Sequence, residues 1–389
     1  MQALNGIRIL DLTRLLPGPY CTMILADFGA EVIKVEHYKE GDYARWYPPL
    51  KGGMGYRHII LNRNKKSFTI NLKLEKGKDI FRKLAKTADV IVESFRPGVM
   101  KRLGLDYGSI KNINPRIIYC SITGFGQDGP NKMMVGHDLN YVSLAGITSL
   151  IGERGGRPYI PPIQIADITG GLMGAIGILI ALQARRKSRK GQYVDISMHD
   201  AAVAMLPSAA SFLFGGHSIP RRGESRLTGK LPHYNIYRTK DNRYLSVAAL
   251  EKKFWVELCK AIDRTDLFDA IDDEEKYEYL FKTLESIFSS KTLGEWVKIF
   301  SDKNVCVAPV KDIDEVFDDP QVRYREMVVE MKDPMIGVYK QLGIPIKLSA
   351  TPGILGNLAP KLGEHTSEIL SEFGYSKKDI LNLKYNKVI

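Results

Sequence analysis

The stretch Ile7-Arg8-Ile9-Leu10-Asp11-Leu12, followed by Pro17-Gly18-Pro19 and then by Glu31-Val32-Ile33-Lys34-Val35-Glu36, decides the fold. Each flanking run is short and rich in β-branched residues, which predicts a strand. Between them Tyr20 to Phe28 reads as a helix ended by Gly29. The pattern then recurs. A helix over 77–86 leads to a strand at Asp89-Val90-Ile91-Val92-Glu93, and a further connection leads to Arg116-Ile117-Ile118-Tyr119-Cys120-Ser121-Ile122. Strands that alternate with helices predict an α/β fold with a parallel sheet covered on both faces. Ligands of such folds collect beyond the C-terminal ends of the strands. Here those ends are Pro17-Gly18-Pro19, residues 36–42, Ser94-Phe95-Arg96-Pro97-Gly98 and Thr123-Gly124-Phe125-Gly126.

Further along, a long helix is expected from Ile168 or Thr169 to about Lys187, its apolar run Leu172–Leu182 buried. Arg185-Arg186-Lys187 suit the negative end of that helix. Another strand covers 192–198. The pattern changes after a glycine- and proline-bearing connection: 234–238 and 243–248 form a hairpin, and helices fill 252–300. The chain therefore divides into a large Rossmann-like domain at 1–200, a linker at 201–224, a small α+β domain at 225–325, and a C-terminal segment at 326–389 that returns to the large domain.

The 389 residues are enough for two domains, and 44% hydrophobic with 26% charged content is ordinary for a globular protein. No secretory signal or bilayer-spanning run is read, so no membrane partner is expected. The four cysteines, Cys21, Cys120, Cys259 and Cys306, are dispersed, which fits neither disulfides nor zinc and suits a reducing cytoplasm. A net charge of +12 favours an anionic partner. The basic residues are spread along the chain without a nucleic-acid motif, so no nucleic acid is expected. Gly-x-Gly-x-x-Gly, the Walker loop, Gly-x-Ser-x-Gly and metal-ligand spacings are all missing. These absences argue against dinucleotide, nucleotide, hydrolase and metal chemistry.

What remains are proton-transfer groups. Gly136-His137-Asp138-Leu139-Asn140-Tyr141 presents a histidine on a loop, and Ala166-Asp167-Ile168-Thr169-Gly170-Gly171 places a carboxylate at a helix start. A histidine beside an aspartate is most often a hydrogen-bonded loop residue, and Asp167 is most simply a helix N-cap. An N-cap carboxylate can also act chemically, with helix N–H groups beside it for a developing oxyanion and glycines that let a substrate approach. Glu251 lies between a strand and a helix, and Ser197 reads as a structural N-cap. Arg63 and Lys73, and Arg96 with Arg102, form two basic groups near strand ends, suited to phosphates. Met133, Met134 and Tyr141 are candidates for lining an apolar pocket.

Together these segments resemble the family III CoA-transferase (CaiB/BaiF) superfamily. The resemblance runs through Leu16-Pro17-Gly18-Pro19-Tyr20, Asp27 to Glu36, Phe95-Arg96-Pro97-Gly98, Arg102-Leu103-Gly104, Thr123-Gly124-Phe125-Gly126 and Gly191-Gln192. Gly136-His137-Asp138, Tyr141, Asp167 and Leu250-Glu251 are most similar to the α-methylacyl-CoA racemases within it, and residues 248–254 lack the glycines common in the transferases. The resemblance implies a racemase or epimerase of 2-methyl-branched acyl-CoA thioesters. His137 and Asp167 would then serve as bases on opposite faces of the α-carbon, with Glu251 orienting His137 and Asp138 and Tyr141 behind them. Arg63, Lys73, Arg96 and Arg102 would meet the CoA phosphates. It implies no cofactor beyond the coenzyme A of the substrate. It also implies an interlocked homodimer in which Glu251 comes from the second copy. Two alternatives remain: a CoA transferase with Asp167 as nucleophile, and an anion-binding protein without catalysis.

Overall fold

The computed structural model describes residues 2–389. The chain forms two compact units. The first comprises the residues up to Ala145, Pro162–Met205 and Pro320–Ile389, and the second Gly146–Pro161 and Leu206–Asp319.

In the first unit the elements follow the expected alternation: β1 (Arg8–Asp11), α1 (Pro17–Asp27), β2 (Glu31–Glu36), β3 (Lys65–Thr69), α2 (Glu75–Thr87), β4 (Val90–Glu93), β5 (Ile118–Thr123), α3 (Asp138–Leu144), α4 (Ile165–Ser188) and β6 (Tyr193–Ser197). The sheet is six-stranded, in the order β3-β2-β1-β4-β5-β6, and every pairing is parallel. Leu10 of β1 stands opposite Ile33 of β2 and Ile91 of β4, and all three are buried. The order reverses between β1 and β4, so the crevice at their C-terminal ends is the expected binding place. The last residues of the chain complete this core. Ile369, Leu370, Ile380, Leu383, Val388 and Ile389 pack in one cluster with Leu10, Ile33, Phe68 and Phe81.

A buried ionic lattice lies under the strand ends. Lys34 and Lys65 are fully buried. Lys34 pairs with Asp42 at 2.9 Å and donates to the Thr13 carbonyl at 2.9 Å. Lys65 pairs with Asp11 at 3.2 Å and donates to Thr22, Asn62 and the Pro19 carbonyl at 2.7, 3.0 and 3.0 Å. Asp11 also accepts from the Thr13 N–H at 2.9 Å and from Thr22 at 2.6 Å. Glu36 and Arg45 close a third pair at 2.6–2.8 Å.

Helix α4 starts at Ile165, earlier than the expected Ile168, with Gln164 as N-cap. Only one side of it is buried. Ala175, Ile178 and Ala181 face inward, while Ile176, Leu179 and Ile180 are exposed, so the fully buried helix expected from its composition is corrected. By length and composition it is apolar enough to cross a bilayer, yet it packs on α1, β5 and β6. Gly171 serves that packing. A Cβ there would stand 2.6 Å from the Pro17 carbonyl oxygen, so this glycine admits α1 rather than a substrate. Ser197 caps the helix Met198–Val203, accepting from the Asp200 N–H at 3.0 Å.

The second unit holds a three-stranded antiparallel sheet, β9-β8-β7, from β7 (Tyr234–Arg238), β8 (Tyr244–Ala248) and β9 (Val307–Pro309). Trp255, Leu280, Leu284, Phe288 and Trp296 fill its core. The segment read as a linker belongs here from Leu206 onward and contains the helix Pro207–Phe214, while residues 201–205 stay with the first unit. Residues 146–161, read as part of the large domain, join it too. Arg222 stitches the two segments, donating to the Gly156 and Ser149 carbonyls at 2.7 and 2.9 Å.

Lys65→Met leaves Asp11 buried without its charge partner and is expected to destabilise by about 3–5 kcal/mol. Lys66→Met, which removes partly exposed pairs to Glu31 and Glu368, is expected to cost about 0–1 kcal/mol. Urea unfolding of both variants checks the contrast, and equal losses would refute it.

Candidate active site

His137 and Asp167 reach the same place by different local routes. His137 is the N-cap residue of α3, exposed, with its backbone N–H donating to Asn140 Oδ1 at 3.0 Å. Tyr141, one turn into α3, steadies the approach to it. Its hydroxyl donates to the Gly136 carbonyl at 2.6 Å, and its ring meets Phe125 edge-on at 5.3 Å. A Cβ at Gly124 or Gly136 would lie 2.7 or 2.9 Å from that ring, so both positions need glycine.

Asp167 is the third residue of α4, not its N-cap. First-turn carboxylates still gain from the helix dipole. Its own backbone N–H donates to Asp138 Oδ1 at 3.0 Å. That N–H is therefore engaged and is not among the helix N–H groups left for a developing oxyanion. The bond ties the start of α4 to the start of α3 and brings a second carboxylate beside Asp167. Burial pushes the Asp167 carboxyl up to about 6, and the Asp138 charge adds to the rise. His137 and Arg57 pull the other way, which places both side chains within electrostatic reach of Asp167. Near neutrality Asp167 is thus mostly ionised but poised to accept a proton. Arg57 was not singled out from the sequence, because nothing local distinguishes it from other surface arginines.

The structure sorts the expected phosphate contacts. Arg63 is corrected: it is buried, bidentate to Asp27 at 2.9 and 2.7 Å, and bonded to the Leu342 carbonyl at 2.8 Å. Its guanidinium is spent on internal partners. Lys73, Arg96 and Arg102 are exposed on the segments that follow β3 and β4. The loop that carries Arg96 is anchored by Glu93, which accepts from the Phe95 N–H at 2.7 Å and bonds Ser121; burial pushes the Glu93 carboxyl up to about 7. Arg14, missed in the sequence, stands after β1. Its guanidinium lies 5.3 Å from the Tyr43 ring centre and 5.6 Å from that of Phe95, so it belongs to the β1/β4 crevice. Met133 and Met134 are exposed on the loop ahead of His137. Glu251 lies in the second unit, exposed at the N-cap of the helix Lys252–Ala261.

The CoA-transferase family III model matches residues 4–366. The chain belongs to the CoA-transferase family III. It is 34% identical to the human (Homo sapiens) alpha-methylacyl-CoA racemase, over 100% of this chain and 98% of that protein. It is 35% identical to the human succinyl-CoA:glutarate CoA-transferase, over 96% and 86% respectively. The crystal structure of a CAIB/BAIF family protein from Brucella suis superposes with a TM-score of 0.84 at 30% identity, covering 95% of this chain and 99% of that one.

Asp138→Asn keeps an acceptor for the Asp167 N–H and removes the charge, so it is expected to lower the Asp167 pKa. Arg57→Met is expected to raise it above about 6. Carbon-13 NMR titration of the Asp167 carboxyl reads both shifts, and an unmoved titration in the two variants would rule out this electrostatic account. The fold responds to the same carboxyl. Its raised pKa means that stability falls as pH rises from about 4 to about 6 and stays lower above. Asp167→Asn is therefore expected to raise Tm at pH 7 and to leave it unchanged at pH 4.

Proposed function

We propose that this family III enzyme is a racemase or epimerase of 2-methyl-branched acyl-CoA thioesters, transferring a proton between the two faces of the α-carbon. The observation that carries the reading is the pairing of unlike proton-transfer groups: an Asp167 carboxyl raised to about 6, within the field of His137. A general base works best with a pKa near the operating pH. In one direction His137 removes the α-proton and Asp167 delivers one; in the other the roles exchange. The thioester carbonyl takes up the negative charge as an enolate. The positive end of α4 and the Arg57 guanidinium favour that charge, in the manner of preorganised electrostatic stabilisation. Arg14, Lys73, Arg96 and Arg102 receive the phosphates of CoA. In an interlocked homodimer Glu251 of the partner subunit would orient His137 and support its protonated form. No metal or redox cofactor is needed for such a step.

A second reading has an observation in its favour: the identity to a CoA-transferase is as high as that to a racemase. In that reading Asp167 attacks the thioester, and CoA passes to a second carboxylic acid through a mixed anhydride.

The test is to incubate one enantiomer of a 2-methylacyl-CoA in deuterated water without any acid acceptor. Deuterium uptake at the α-carbon with loss of optical purity is the expected result. His137→Gln and Asp167→Asn should each slow racemisation roughly 100-fold or more, with exchange from one face surviving. In the direction in which Asp167 is the base, the rate should also fall as pH drops through about 6, where Asp167 gains its proton. No uptake, together with CoA transfer once an acid is added, would replace this reading by the second.

A further inference from the structure

A pocket of about 310 Å³ opens in the first unit over β4, β5 and β6. Its walls include Glu93 of β4, Arg96 and Lys101 after it, Tyr107 at the start of the helix Tyr107–Ile113, Gln127 after β5, and Tyr193 of β6. It shares Arg96 with the groups read as meeting CoA, but His137, Asp138, Asp167 and Arg14 do not line it. Its volume stands at the small end of the roughly 300–1,000 Å³ span of ligand pockets, which suits a single ring with one substituent.

The acceptors of this pocket are spent. Glu93 takes the Phe95 N–H at 2.7 Å and bonds Ser121, whose oxygen also accepts from the Tyr193 hydroxyl at 2.9 Å. Asp106, on the same wall, accepts from the Gly108 N–H and the Ser109 hydroxyl at 3.2 and 2.7 Å. The donors are not spent. Arg96 and Lys101 are exposed, with no ion pair among the described residues. The Gln127 side-chain nitrogen is buried without a hydrogen-bond partner, while its backbone N–H is tied to Asp195 at 3.0 Å. A buried amide donor left unpaired is costly, so a guest that brings an acceptor to it is favoured. Beside these donors Tyr107 and Tyr193, with ring centres 5.5 Å apart, form an aromatic wall.

We propose that this pocket binds a small aromatic carboxylate, with its ring against Tyr107 and Tyr193 and its carboxylate on Gln127, Lys101 and Arg96. Arg96 then serves two guests, so occupancy weakens CoA binding; that consequence alone rests on the acyl-CoA reading above. Two carboxylates in one small pocket repel unless one holds a proton. Burial pushes the Glu93 carboxyl up to about 7, so it is mostly neutral at pH 6 and mostly ionised at pH 8. Affinity for the guest therefore falls as pH rises through about 7. Of the other groups facing Glu93, burial raises Tyr119 and Cys120 of β5 and Tyr193 of β6 and keeps them neutral over that range. Asp195 of β6 adds a nearby carboxyl, and Arg96, Lys101 and Asp106 line the same space.

Calorimetry on the intact protein with benzoate, cyclohexanecarboxylate and acetate tests this. Benzoate should bind, cyclohexanecarboxylate roughly two- to tenfold more weakly, and acetate more weakly still. Gln127→Leu and Lys101→Met should each weaken benzoate binding, whereas Asp167→Asn should leave it unchanged. In the unaltered protein, where no variant can misfold, benzoate affinity should fall from pH 6 to pH 8. Glu93→Gln keeps an acceptor for the Phe95 N–H and should flatten that dependence. No benzoate binding, equal affinity for benzoate and acetate, or a loss in Asp167→Asn with none in Gln127→Leu would each overturn the pocket. A pH dependence that persists in Glu93→Gln would overturn the placement of the guest beside Glu93. Saturating benzoate should raise the CoA dissociation constant severalfold, and an unchanged constant would overturn the sharing of Arg96. Benzoate binding as expected with no CoA binding at all would sink the acyl-CoA reading and leave the pocket standing.

Discussion

The first unit depends on burying two lysine ammonium groups beneath its strand ends. Removal of a lysine from water is unfavourable unless its hydrogen bonds and charge are met inside. Burial favours loss of the proton from Lys34, but Asp42, Asp11 and Glu36 outweigh it and the group is held charged. Burial wins further at Lys65, which is pulled down to about 8 against Asp11. The partners come from separate segments: Asp11 at the end of β1 and Thr13 just after it, Thr22 on α1, Asp42 after β2, and Asn62 ahead of β3. One lattice thereby sets the courses of the connections that form one side of the crevice. Arg14 stands on one of those connections, between the rings of Tyr43 and Phe95.

From α1 the constraint passes to the site. Gly171 lets α4 sit against the Pro17 carbonyl, and this fixes the height at which Asp167 emerges. Asp138 then joins α4 to α3 through the Asp167 N–H, and Tyr141 holds the backbone just ahead of His137. The carboxyl so placed is half-buried beside a like charge, which raises its proton affinity at some expense of stability. Such tuning is common where a carboxylate must exchange a proton near neutrality.

A site of this kind suits more than one reaction on an activated acyl thioester. A carboxyl that accepts a proton from an α-carbon is chemically close to one that attacks the carbonyl beside it. Membership of the family therefore leaves the chemistry to the surroundings of Asp167: a histidine within its field and a second carboxylate on its N–H.

The sequence by itself determined the alternation of strands and helices, because those signals are local. The β2 strand Glu31–Glu36 has the bounds its pattern predicts, and α1, α2 and the β7–β8 hairpin differ only at their ends. It also offered His137 and Asp167 as candidate proton-transfer groups from their loop and helix-start positions, and the family resemblance added Asp138 and Tyr141. Only the tertiary structure decided what each polar group does. Arg63 looks like a surface cation until Asp27, 36 residues earlier, closes on it. The Asp167 N–H looks free until Asp138, 29 residues earlier, takes it. Arg57 and Arg14 carry no local mark at all. Hydrogen bonds and charge–charge effects act over a few ångströms in space, and residues far apart in the chain become such neighbours only when the sheet order and helix packing bring them together.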